Sequence, residues 1–202
     1  MRNNTAANLS QYVIGPLTQF IEKSVERIYY TDIGDPAERV TNGKGIDIIA
    51  QQLIIAFEDN TFLYLSWRSV SGWEQYAISA STEPFVIADV SITNTYAVNS
   101  INWRAIIGRR LTGFMVYGYQ VYESIRTPFK IDEAKTITYD NQPHLIILDF
   151  EESQVAIANF YHEADFEPKY PTGDDIWIIF DSTRRNRFVS ELKLERLYTN
   201  GK

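Results

Sequence analysis

Apolar and polar positions alternate in the same way at two places in the chain. The segment LIIAFEDNTFLYL, residues 53–65, has two apolar runs around a polar elbow, and IILDFEESQVAIA, residues 146–158, repeats it with Phe150 in the place of Phe57. Short apolar runs around polar residues that tolerate a tight turn are typical of a β-hairpin. The sequence therefore predicts one hairpin in each half of the chain.

A short helix is predicted ahead of the first hairpin. The segment at residues 17–31 follows Gly15-Pro16, and proline is well tolerated in the first turn of a helix. Leu17, Phe20 and Ile21 then have the spacing of one helix face. We therefore expect a short helix with these residues on one face.

A second short helix is predicted ahead of the second hairpin. Residues 103–117 align without gaps with the segment just described, and apolar positions recur at the same places. Ser100 or Asn102 is placed to cap this helix, and Gly108 suits the position just after a helix end.

Segments typical of strands complete each unit. β-branched and aromatic residues are concentrated at residues 25–30 and 111–122, directly after the helices, and at residues 76–82 and 177–183, after the hairpins. A short strand is also expected at residues 135–139.

These elements predict an α+β fold with two tandem copies of a helix–strand–hairpin–strand module, mainly antiparallel sheet and short helices, packed as one globular unit. The first module spans residues 1–99 and the second spans residues 100–202, as an internal duplication would give. Residues 85–92 are expected to add a strand before this boundary, whereas residues 184–202 permit either a strand or a short helix.

Composition favours a cytoplasmic protein. Hydrophobic residues make up 45% of the chain, charged residues make up 22%, and there is no cysteine. A chain without cysteine has no disulfide, no thiolate nucleophile and no Cys-ligated metal. The N-terminal segment lacks the apolar core of a signal peptide, and the apolar runs are too short to cross a bilayer, so we expect no membrane association.

The charge of the chain is concentrated in one stretch. The net charge is −7, which disfavours binding to nucleic acid. Between Gln142 and Asp181 there are nine acidic residues and one basic residue, Lys169. This stretch contains FYHEADFEPKYPTGDDIW, residues 160–177, in which aromatic residues alternate with acidic ones.

Aromatic residues are suited to anchor an interface, and acidic residues steer a basic partner towards it. The sequence therefore predicts a partner-binding surface in this acidic aromatic loop. Its residues are Tyr161, Glu163, Asp165, Glu167, Tyr170, Asp174 and Asp175. The alternative is a solvated loop whose aromatic side chains pack back into the core.

No sequence motif predicts a catalytic centre, a cofactor site or a metal site. The nucleophile elbow, the phosphate-binding loop and the dinucleotide fingerprint are all missing from the sequence. His162 stands beside Glu163, Asp165 and Glu167, so a hydrolase or metal-dependent enzyme centred on this histidine is the alternative function. A solvated acidic surface is the simpler interpretation of the same residues.

The hairpin elbows carry paired acids, Glu58-Asp59 and Glu151-Glu152. Two carboxyl groups about 5–10 Å apart in a cleft are the catalytic pair of glycosidases. Nothing in the sequence indicates a cleft, and the recurrence of these acids at both elbows favours a role in the turns.

The two hairpin segments, LIIAFEDNTFLYL and LIILDFEESQVAIA, occur in a small, acidic, cysteine-free α+β chain, and this combination resembles bacterial immunity proteins of polymorphic toxin systems. The resemblance implies a cognate toxin as partner, often a basic nuclease or another secreted effector, that is blocked by direct binding. It implies no particular site residue.

We therefore predict a non-catalytic protein-binding module, in its specific form an immunity-type inhibitor, that binds a basic toxin or effector through the acidic aromatic loop. A structural, homo-oligomeric subunit that uses exposed strand edges is a further alternative.

Overall fold

The computed structural model of the chain contains a few short helices. It describes residues 5–33, 41–42, 45–68, 70, 73, 77–85, 93–118, 121–126, 134–139, 142–162, 167–170 and 173–201. The helices are α1 (Thr5–Leu9), a π-helical turn (Ser10–Ile14), α2 (Gly15–Thr18), α3 (Ile101–Arg104) and α4 (Ser182–Glu191).

Both predicted short helices are present. Pro16 lies in the first turn of α2, and Leu17 and Phe20 are buried. α2 ends at Thr18, however, so Phe20 and Ile21 of the predicted face follow the helix, and Ile21 is only partly buried. The Ser100 side chain caps α3 by accepting a hydrogen bond from the Trp103 N–H at 3.4 Å. Helical turns run without a break from α1 through the π-helical turn to α2. The helical segment of the first half therefore begins ten residues before α2.

Strands form most of the described structure. They are β1 (Val25–Ile33), β2 (Thr41–Asn42), β3 (Ile46–Ile49), β4 (Gln52–Phe57), β5 (Phe62–Arg68), β6 (Ala77–Ser81), β7 (Thr93–Ala97), β8 (Leu111–Gly118), β9 (Val121–Arg126), β10 (Ala134–Tyr139), β11 (Pro143–Phe150), β12 (Ser153–Ala158), β13 (Tyr161–His162), β14 (Pro168–Tyr170), β15 (Ile176–Ile179) and β16 (Glu195–Asn200).

Two antiparallel sheets carry the fold. The first has the strand order β6-β5-β4-β1-β7, and the second has the order β16-β8-β11-β12-β15-β3-β2. The pairs β9–β10 and β13–β14 form two small additional sheets. The protein is therefore an α+β protein with mainly antiparallel sheet, as the sequence predicts.

Five strands of the second sheet have the same order and pairing as the five strands of the first sheet. The order β6-β5-β4-β1-β7 corresponds to β15-β12-β11-β8-β16. Val25 of β1 lies opposite Phe57 of β4, Leu111 of β8 lies opposite Phe150 of β11, and in both sheets the register shifts next to this pair. The two bulges thus occupy equivalent positions.

The hairpins differ by one residue at the turn. Ile55 pairs with Leu63 in the first hairpin, and Leu148 pairs with Val155 in the second, so the second turn is one residue shorter. The gapless correspondence between residues 53–65 and 146–158 therefore holds only as far as the turn.

The two sheets are joined where β1 and β8 begin. Ser24 and Arg110 form an isolated antiparallel bridge there. Four backbone hydrogen bonds surround the bridge, in two equivalent pairs. Glu22 N–H donates to Leu111 C=O at 2.8 Å, and in the other direction Gly108 N–H donates to Val25 C=O at 2.8 Å. Val25 N–H donates to Arg109 C=O at 2.9 Å, and in the other direction Leu111 N–H donates to Lys23 C=O at 3.0 Å. The junction consequently has approximate twofold symmetry.

One hairpin of residues 1–99 lies in the second sheet. β3 pairs with β15, so that Ile46 is opposite Ile179, and β2 pairs with β3. β3 is not among the elements that the sequence predicts, because its partner β15 is more than a hundred residues away in the chain.

The hydrophobic core has two parts. The larger cluster takes side chains from both sheets, from α3 and from the N-terminal helices, and the smaller takes them from the other face of the second sheet and from Phe188 of α4. Phe114 and Val116 of β8 belong to the larger cluster, whereas Met115 and Tyr117 pack against the smaller. This alternation explains the continuous apolar runs, because a strand covered on both faces has apolar residues at every position.

Some predicted boundaries differ from the structure. The strand expected at residues 111–122 is two strands, since β8 ends at Gly118 and β9 begins at Val121. The strand expected at residues 177–183 stops at Ile179, because Asp181 caps α4. The C-terminal segment contains both α4 and β16. Most of the strand expected at residues 85–92 lies outside the described residues.

None of the helices in the described part of the chain is long and apolar enough to cross a membrane.

Candidate functional site

The acidic aromatic loop is described in part. Tyr161 lies in β13 and is 39% exposed, and Asp174 is exposed. Tyr170 and His162 lie in β14 and β13, but their side chains are outside the described structure, as are Glu163 and Asp165. Asp175 is partly buried and has a partner.

Helix α4 neutralises part of the charge of this loop. Glu167 forms an ion pair with Arg187 at 2.5 Å and lies 3.9 Å from Arg184. The loop therefore presents less negative charge to a partner than its sequence indicates.

Two of the aromatic residues in the loop segment belong to the core. Phe160 and Trp177 are fully buried, and the Trp177 Nε1–H donates to the Phe160 carbonyl at 3.0 Å. For these two residues the alternative in which aromatic side chains pack back into the core is correct. Tyr161 is exposed.

A large groove lies at the turn end of the second sheet. Its volume is about 1280 Å³. The lining residues come from α3, from the start of β8, from the β11–β12 turn, from the start of α4 and from the end of β16: Glu22, Ile101, Asn102, Ala105, Ile106, Thr112, Gly113, Met115, Asp149, Glu151, Glu152, Ser153, Gln154, Phe180, Ser182, Thr199, Asn200 and Gly201.

The short turn of the second hairpin places two acids in this groove. Glu151 and Glu152 form the turn between β11 and β12, and Glu151 has a left-handed backbone with φ 35°. Asp149 and Glu22 bring the number of lining carboxylates to four, and no Lys, Arg or His is among the lining residues that the structure describes. Glu151 and Glu152 thus lie in the turn, as their recurrence at both elbows predicts, and they also line a groove that nothing in the sequence indicates.

Two arginines hold the acids from the rim of the groove. Arg109 lies 3.2 Å from Glu152 and 3.8 Å from Glu151. Arg110 connects two segments that are distant in sequence, since its Nε donates to Glu151 Oε1 at 3.0 Å and its Nη1 donates to Glu22 Oε2 at 3.1 Å. Glu151 is the most enclosed of these acids, with a side chain that is 29% exposed.

A second polar chain supports the opposite wall. The Gln154 amide donates to Asp149 Oδ1 at 2.5 Å and accepts from Arg185 Nη1 at 2.6 Å. Arg185 is 8% exposed, and burial lowers the pKa of its guanidinium while Tyr117 and Asp149 act in the opposite direction. These bonds hold the Asp149 carboxylate in a fixed position on the groove wall.

The first half of the chain has the turn but lacks the polar groove wall. Lys23 pairs with Asp59 at 2.8 Å, at the place that Arg109 and Glu152 have in the second half. Hydrogen bonds from Lys23 and Thr61 lower the pKa of the Asp59 carboxyl to about 2.

The strand pairs beside the two turns also differ. The pair Ala56–Phe62 stands where the second hairpin has Asp149–Gln154. Three of the four groove acids, Asp149, Glu151 and Glu152, therefore belong to the second hairpin, and Glu22 comes from the first half. This polar-for-apolar exchange between the two hairpins is the sequence signal that could have located the groove.

No metal centre is found in the described segments, where no group of three or more His, Asp or Glu side chains has the arrangement needed to hold an ion. His144 is fully buried in β11, and neither ring nitrogen has a hydrogen-bond partner. Burial lowers the pKa of His144 to about 3, and the Asn159 side chain acts weakly in the opposite direction without a well-aligned hydrogen bond. His144 is thus a neutral core residue.

No protein-family model, curated protein sequence or solved structure matches the chain.

Proposed function

We propose that the protein is a non-catalytic binding module whose partner is a basic protein, and that it acts in the bacterial cytoplasm as an immunity-type inhibitor acts on a toxin. The observation that carries this proposal is the groove of about 1280 Å³ with four lining carboxylates and no lining cation among the described residues. A concave surface of one charge attracts and orients a partner of the opposite charge.

The arrangement of the scaffold supports a binding role. We infer that residues 1–99 and 100–202 derive from one duplicated module, because the two sheets have the same strand order and equivalent bulges. In this view the common parts, such as the pairs Lys23–Asp59 and Arg109–Glu152, maintain the fold. The groove and the acidic aromatic loop are the parts in which the second copy differs, so they are the surfaces available for a specific function.

The acidic aromatic loop remains a predicted contact surface beside the groove. Its exposed members are Tyr161 and Asp174, and Glu167 is partly neutralised by Arg187. We assign the main contact to the groove because four acids line one open volume there; Arg109 and Arg110 at the rim pair with three of them.

The test begins with the full-length chain as bait in cells of the source organism. The captured protein is then purified, and its affinity is measured for the wild-type chain and for E151K/E152K, in which the groove charge is reversed. We expect a basic partner whose affinity falls about ten-fold or more in the variant and decreases with salt. The variant D174K carries a charge reversal in the acidic aromatic loop and serves as the comparison.

An acidic partner, or a basic partner that binds both charge-reversed variants as tightly as the wild type, would refute the proposed function. Thermal unfolding of each variant shows whether the substitution leaves the fold intact. Charge reversal at Glu151 and Glu152 also removes their ion pairs with Arg109 and Arg110, and the unfolding measurement separates this loss of stability from the loss of partner contact.

A further inference from the structure

The size of the groove indicates an extended occupant. Pockets for small molecules have volumes of about 300–1,000 Å³, whereas this groove has about 1280 Å³. Its lining combines the four acids with apolar surface from Phe180 and from Ile101, which is 80% exposed. Acids beside exposed apolar groups suit a peptide segment that carries both basic and apolar side chains.

Arg110 occupies one position at the rim of this groove. Its guanidinium spans Glu22 and Glu151, two carboxylates that both line the groove, at 3.1 Å and 3.0 Å. The Arg110 side chain is 52% exposed, so it can move away into solvent at little cost. The planar fork of a guanidinium matches this double contact, whereas the ammonium group of lysine does not.

The twofold-like junction gives Arg110 a counterpart that carries no charge. Arg110 lies opposite Ser24 in the bridge between the two halves, and Ser24 is its counterpart in the first half. Arg109, by contrast, has the equivalent basic residue Lys23, and both form an ion pair with the neighbouring turn. The contact of Arg110 with Glu22 and Glu151 is therefore additional to the repeated scaffold.

We propose that the groove receives an extended, arginine-bearing segment of the partner protein, and that a partner arginine replaces Arg110 between Glu22 and Glu151. This inference rests on the proposed function and specifies the chemistry of its site. Arg110 is then an internal competitor that holds the two carboxylates in place until the partner arrives, while an apolar residue of the same segment packs against Ile101 and Phe180.

The inference is tested with two labelled probes, octaarginine and octalysine, whose affinities are measured by fluorescence anisotropy. R110Q removes the internal competitor, so that Glu22 loses its Arg110 contact and Glu151 keeps its 3.8 Å contact with Arg109. R109Q is the matched control, because it makes the same change in net charge at a position that the scaffold repeats. The double variant E22Q/R110Q removes the competitor together with one of its two acids.

We expect R110Q to bind octaarginine about three- to ten-fold more tightly than the wild type, since two exposed ion pairs no longer compete. R109Q is expected to change the affinity less than R110Q does, and E22Q/R110Q is expected to lose the gain. Octalysine is expected to gain less from R110Q than octaarginine gains.

An equal effect of R110Q and R109Q, an R110Q variant that binds no more tightly than the wild type, or octaarginine that binds neither of these chains would overturn the assignment of Arg110. The proposed function fails by a separate result, which is a captured partner that ignores the charge reversal at Glu151 and Glu152. Thermal unfolding of R110Q checks that the junction between the halves remains intact.

Discussion

Acid is expected to destabilise the protein through His144. This residue is fully buried in β11, and burial lowers its pKa from the usual 6.5 to about 3. The unfolded chain takes up a proton on this imidazole below about pH 6.5, whereas the folded chain does not until about pH 3. The stabilising contribution is therefore complete above pH 6.5 and is lost as the pH falls through this window.

The magnitude follows from the size of the pKa difference. Each pH unit below 6.5 costs about 1.4 kcal/mol of unfolding free energy, so the loss at about pH 4.5 is about 2 to 3 kcal/mol. Such a loss is a large fraction of the stability of a typical domain, which is about 5–15 kcal/mol.

Urea unfolding of the wild type and of H144Q at a series of pH values measures this effect directly. Glutamine does not titrate, and the other ionisable groups are the same in both proteins, so the difference between their unfolding free energies isolates His144. We expect this difference to change in favour of H144Q as the pH decreases from about 7 to 4.5. H162Q is the control, because it leaves the titration of His144 in place. Parallel curves for the wild type and H144Q would refute the reasoning.

Three further substitutions test local parts of the account by urea unfolding. D181A removes the carboxylate that accepts the Thr183 and Arg184 N–H groups at the start of α4, and it is expected to cost about 1 kcal/mol; no loss would show that this cap does not stabilise the helix. G108A places a side chain on a backbone with φ +84°, and because nothing lies within 4 Å of the added Cβ, a cost of about 1 kcal/mol reflects backbone strain alone; G201A, at φ +122°, is the crowded comparison. D59N removes an exposed ion pair with Lys23, so the unfolding free energy is expected to fall by less than about 1 kcal/mol at neutral pH. This difference is expected to vanish as the pH falls towards about 2, where the Asp59 carboxyl becomes protonated. A larger loss would show that this pair contributes more than an exposed pair usually does.

Elements whose structure is determined by residues close together in the sequence were predictable. The two hairpins and the cap at Ser100 follow from short segments whose residue types favour one local structure. The helix end expected just before Gly108 comes earlier, because α3 ends at Arg104. The α+β class and the mainly antiparallel sheet follow from the same segments.

Contacts between distant segments were not predictable in this way. β3 is a short, mainly apolar segment, and its position depends on pairing with β15, which is distant in the sequence. The N-terminal helix was missed because it depends on packing of Leu9 and Val13 in the core.

The groove is assembled from parts that no local pattern connects. Its acids come from Glu22, Asp149 and the turn at Glu151-Glu152, and they meet only because the beginnings of β1 and β8 are bridged at Ser24 and Arg110. The sequence predicts a contact surface in the acidic aromatic loop because its acids lie close together along the chain. In the structure, α4 neutralises one of them through Arg187.

The central claim is that the groove acids bind a basic partner. Isothermal titration of the purified partner against the wild type, E151K/E152K and D174K at two salt concentrations tests it most directly. The account predicts that reversal in the groove weakens binding about ten-fold or more, that the effect shrinks at high salt, and that D174K has the smaller effect. Equal affinity for the wild type and E151K/E152K at low salt would contradict it.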